Sequence, residues 1–108
     1  MTTESSEFIT PPKHVNFLAK KLYGNGNMSD VSLAVLGSSG GGPTENHTHP
    51  HGHLFIVTEG EAKIILGDDV VILRKNESFF VDGSIPHSVW NNRDEETVMI
   101  GINLEDTD

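Results

Sequence analysis

The sequence predicts an all-β fold, a small antiparallel β-barrel or double-sheet jelly roll. Three observations predict it. Short runs rich in Val, Ile, Phe and Thr recur along the chain, separated by Gly, Asn and Asp clusters at roughly 7 to 12 residues. No stretch carries a sustained helical period. A chain of 108 residues, 35% hydrophobic, suits one domain with a small core or a core built around a cavity.

Residues 1–12 are polar and acidic and close on Pro11-Pro12, so a disordered or loosely attached segment is expected ahead of a single barrel domain over 13–108. In "HVNFLAKKLYGNGNMS", Val15, Phe17, Leu18 and Leu22 fit either a strand or a short helix. "GNGNMSD" reads as a turn and "VSLAVLG", 31–37, as a strand. "GSSGGGPTEN" reads as a flexible loop of small residues. "HLFIVTEG" is a strand ending in a tight turn at Glu59-Gly60, with "AKIILG" as the return strand of a hairpin. Asp68-Asp69 turns into "VVILRKN", and "ESFFV", "HSVWNN" and "TVMIGINL" complete the strands.

Composition excludes several classes. There is no cysteine, so a transition metal could be held only by imidazole or carboxylate. The acidic start has no basic region followed by an apolar one, so it does not read as a signal peptide. "VSLAVLG" is too short to cross a bilayer. The net charge of −9 argues against nucleic-acid and anionic-membrane partners. A cytoplasmic protein is the default expectation.

His47, His49, His51 and His53 stand at alternate positions in "ENHTHPHGHLFIVTEGEAKI". Alternate side chains of an extended segment share a face about 7 Å apart at their backbones, and two imidazoles so placed reach one ion at about 2.0–2.1 Å. Pro50 and Gly52 interrupt the segment, so the alternation cannot be followed straight through. A His-rich loop binding metal adventitiously and a set of solvated histidines are the competing readings. "VDGSIPHSVWNN" adds His87 at the start of a strand, after a proline-containing turn.

Together the two segments resemble the cupin family, in its small single-domain members. Gly42, five positions ahead of His47, opens the first motif. His47-Thr48-His49, His53 three residues on and Gly60 after six more continue it. Pro86, His87 and Asn91 resemble the second. The likeness spans roughly residues 37 to 104. Two departures stand out: His53 takes the place of the family's glutamate, and Asp82-Gly83-Ser84 stands where Pro-x-Gly is common.

The resemblance implies His47, His49, His53 and His87 as ligands of one divalent transition metal ion, with His51 outside the set. Zinc, nickel, iron, cobalt, copper and manganese are not distinguished. Four neutral imidazoles would leave the ion's charge uncompensated, so a small anionic, oxygen-chelating ligand is expected. By alternation Phe55, Val57, Val89 and Asn91 would line the binding wall. Glu45, Tyr23 and Asn103 read as loop or strand residues, and no catalytic residue is named. Similar small cupins imply a homodimer joined through residues 13 to 22. They also imply a metal-dependent enzyme (dioxygenase, isomerase, lyase or cyclase), the alternative being a non-catalytic module that binds or senses a small molecule. The enzyme reading is favoured because a chain this short has no room for a DNA-binding helical domain.

Overall fold

The computed structural model describes residues 7–105, the side chains of residues 46 and 47 excepted. Eight strands form among these residues, and no helix. They are β1 (Val15–Asn25), β2 (Met28–His47), β3 (Gly52–Glu59), β4 (Glu61–Leu66), β5 (Asp69–Arg74), β6 (Ser78–Val81), β7 (His87–Asn91) and β8 (Thr97–Leu104). All pairings are antiparallel, in the order β5-β4-β7-β2-β8-β3-β6, with β1 added beside β2. The sheet curls into a nearly closed barrel, the all-β class expected.

β2 organises the barrel. Its first half pairs with β1 and β8, and its second half crosses to pair with β7. The expected loop at 37–46 is therefore part of a strand. Its small residues have low strand propensity, which hides the strand from a propensity reading. They are demanded instead by close approach. A Cβ on Gly41 would lie 2.3 Å from the Val89 carbonyl oxygen, inside the Trp90 residue it pairs with.

A second expectation fails at Glu59-Gly60. β3 and β4 are joined by this turn but do not pair. β3 runs between β6 and β8, and β4 between β5 and β7. Gly60 carries the chain from one side of the barrel to the other. The hairpin forms one step later, between β4 and β5.

Leu36, Val57, Ile64, Leu73, Val81 and Met99 form the buried core. At the N-terminal side Ile9 bridges Ala19 through two backbone hydrogen bonds of 2.9 and 2.8 Å. The Thr44 N–H donates to the Lys13 carbonyl at 2.7 Å, fastening residues 11–14 across β2. The outer face of this region leaves Ile9, Val15, Leu18 and Tyr23 exposed.

Candidate metal site

Three imidazoles converge at one end of the barrel. His49 lies in the link between β2 and β3, His53 is the second residue of β3, and His87 opens β7. Each can offer one nitrogen, and these nitrogens all lie within 4.8 Å of one another. The Nε2 atoms of His49 and His53 are 2.7 Å apart, and those of His49 and His87 3.1 Å. The rings cross at steep angles, 87°, 81° and 71° for the three pairs, as spokes about one point do.

The outward nitrogens are all committed. His49 Nδ1 donates to the His51 carbonyl at 2.7 Å, and His87 Nδ1 to the Ile85 carbonyl at 2.7 Å. His53 Nδ1 donates to Asn103 Oδ1 at 2.8 Å. A neutral imidazole has one N–H, so these bonds fix the tautomer and make each Nε2 an acceptor. Acceptors at 2.7–3.1 Å need a positive charge between them. A proton is disfavoured at His53, whose pKa is pushed down to about 3, first by burial and then by the neighbouring His49 and His87. Burial lowers His87 as well. A metal ion meets the requirement: imidazoles oriented by oxygen acceptors on their far nitrogens are the usual ligand arrangement, and the donor set fits.

The turn after β6 holds the cluster together. The His49 N–H donates to the Gly83 carbonyl at 2.9 Å. A Cβ on Gly83 would fall 1.8 Å from the His51 carbonyl oxygen and 2.6 Å from His49 Nδ1. The Asp82-Gly83-Ser84 turn thus bears directly on the ligand loop. His51 stacks flat on His49, 4.0 Å between centroids and 11° between planes, so its ring runs beside the convergent set. Burial and His49 lower its pKa, against the pull of Glu105 and Asp30.

A cavity of about 360 Å³ opens beside the cluster. Of the residues expected around it, His49, His53, His87, Phe55 and Val89 line it. His47 opposes His87 in the backbone register, and its side chain lies outside the described residues. Val57 is fully buried in the core and Asn91 is buried away from the cavity, and neither is among the lining residues. Asn91 Nδ2 donates to the carbonyls of Leu36, Gly37 and Glu95, and its Oδ1 accepts from Arg93 N–H and Thr97 Oγ1. Tyr23 is exposed, and Glu45 is paired with Lys13 on the surface.

Sequence reasoning missed His14, Asp30 and Ser32 on the wall, and the role of Asn103 in orienting His53. The register places Asp30, Asn103 and His53 in one row across β2, β8 and β3. Strand alternation could have shown that Asp30 shares a face with Ala34 and Leu36. It could not have shown which strand lies between.

The family model for the cupin domain, Cupin_2, matches residues 37–103. The chain belongs to the cupin family. No curated protein gives a significant sequence match to this cupin. Solved structures share its fold at low identity. An RmlC-like cupin from Shewanella frigidimarina has a TM-score of 0.76 at 18% identity, covering 100% of this chain and 91% of that one. A protein described as a predicted oxalate decarboxylase, from Thermotoga maritima, has a TM-score of 0.80 at 12% identity, covering 97% and 99%. An HTH_3 family transcriptional regulator from Vibrio cholerae has a TM-score of 0.75 at 16% identity, covering 85% of this chain and 52% of that one. This cupin thus spans about half the regulator's length.

Proposed function

We propose that this cupin binds one divalent transition metal ion through His49, His53 and His87, with His47 as a fourth ligand. We further propose that it is a metal-dependent enzyme acting on a small anionic substrate that chelates the ion through oxygen. The observation that carries the reading is the convergence of three Nε2 acceptors whose Nδ1 hydrogens are held elsewhere. Nitrogen ligation suits zinc, nickel, cobalt, copper and iron(II) better than magnesium or calcium. A bound ion would supply Lewis-acid polarisation of a coordinated oxygen. The chain's own residues do the rest. Asn103 fixes the His53 ring, and the His51 and Ile85 carbonyls fix the other two.

A non-catalytic sensing or carrying role is the second reading, favoured by the fold's likeness to part of a transcriptional regulator. The acidic charge, −9, supports a chain that does not itself hold nucleic acid. A thermal-shift screen of small carboxylates and neutral polyols, on zinc-loaded protein and on His49→Ala, tests the reading. Carboxylates should stabilise the loaded protein alone. Stabilisation by polyols instead, or an equal response of both proteins, would contradict it.

A further inference from the structure

The cavity is far larger than a chelating head requires, and its polarity is layered. The row nearest the histidines is polar: Asp30, Asn103 and His53. The next row is Ser32, Gly101 and Phe55, and the third is Ala34, Met99 and Val57. Phe55, Ala34 and Met99 line the cavity from these strands, and Phe17, Ala19 and Val89 line it from β1 and β7. The wall away from the three converging histidines is therefore mostly apolar, with Ser32 and His14 its polar members. Gly101 enlarges it: a Cβ there would meet only the Phe55 ring, at 3.6 Å, an ordinary contact. At about 360 Å³ the space is on the order of ten times a water's share of liquid volume, ~30 Å³. A two- or three-carbon acid on the ion would leave most of this apolar surface wet. Cavities of this size and lining hold ligands with a substantial apolar part and a few polar groups at one end.

We propose that the ligand is a 2-hydroxy or 2-oxo monoacid carrying an aromatic ring, or a branched alkyl group of similar size, beside its chelating head. The head faces the histidines and the ring lies against Phe55, Gly101 and Met99. This rests on the reading of the site as a centre for an oxygen-chelating acid, and it narrows that class. A second carboxylate on the body is disfavoured, because no Lys or Arg lines the cavity among the described residues and the charge would lose water without gaining a partner.

Calorimetric titration of zinc-loaded and metal-free protein with lactate and with 3-phenyllactate tests the inference, because the two acids have the same head. On zinc-loaded protein, 3-phenyllactate should bind at least tenfold more tightly than lactate. Gly101→Val fills the second row with a strand-compatible side chain and should bring the two affinities together while lactate binding persists. If that variant does not fold, Ala19→Phe narrows the cavity from β1, in the row of Ala34 and Met99, with the same expectation. Equal affinity of the two acids for the zinc-loaded protein would overturn the inference and leave the metal-chelation reading intact. Tighter 3-phenyllactate binding that is the same with and without zinc would support the apolar body and overturn the chelating head. Failure of both acids to bind would overturn both.

Discussion

At the scale of single residues, the protonation of His53 sets a measurable property of the metal-free protein. Its pKa in the fold is about 3 against an ordinary value of 6.5, with burial the first cause. Between those pH values the unfolded chain holds the proton and the folded one does not. Stability is therefore full above pH 6.5 and falls as pH drops towards 3, at up to about 1.4 kcal/mol per pH unit for one proton. His87, also lowered by burial, acts in the same direction. Melting temperatures of metal-free protein between pH 7.5 and 4.5 should fall steadily, and His53→Phe should flatten part of the slope. A wild-type curve without slope would contradict the neutral, buried imidazole. His53 also permits a test of charge. His53→Glu restores the carboxylate common in the family and half neutralises the ion. It should weaken binding of small carboxylates several-fold while metal content stays at the wild-type level, and unchanged carboxylate affinity would count against an uncompensated ion.

At the scale of elements, one feature outside the ligand set is expected to decide whether the site forms, and another how stable the barrel around it is. Gly83→Ala puts a methyl group into the His51 carbonyl and against His49. The turn and the ligand loop must separate, so metal affinity should fall at least tenfold by competition titration with a chelator, and unchanged affinity would show that the two move independently. Asn91→Ala removes hydrogen bonds that tie the β2 bend to the turn before β8. Leaving those buried groups without partners should cost about 2–4 kcal/mol in chemical denaturation, with metal binding retained by the folded fraction. These features also show what the sequence could carry. β5 through β8 were legible because their Val, Ile and Phe runs are bounded by turn residues. The second half of β2 is hidden because its glycines serve close approach rather than propensity, Gly41 to Val89 and Trp90, Gly37 and Gly40 to Asn16, and Gly42 to His14. The sequence suggests a hairpin at Gly60 that the sheet does not form, because a tight turn is a local signal and pairing partners are chosen by which faces bury together. At the site, the histidines announced themselves by spacing. Asp30 and Asn103 did not, because their nearness to His53 exists only through the order β2-β8-β3.

At the scale of the whole molecule, the barrel carries unpaired apolar surface on one side. Ile9 is 61% exposed and Tyr23 52%, with Val15 and Leu18 beside them on β1 and the segment leading to it. β1 is joined to the rest of the sheet through β2 alone. Pairing of this side with a second copy would cover both the side chains and the strand edge. Light scattering at micromolar concentration should give about twice 11.8 kDa, and a monomer mass would contradict the pairing. The central claim concerns the end of the barrel where three strand ends and one link meet. Elemental analysis of protein purified without a metal-affinity column measures it most directly. One transition-metal ion per chain is expected in the wild type, with nearly complete loss in the His49→Ala, His87→Ala double variant. Sub-stoichiometric metal that survives in the double variant would contradict the site.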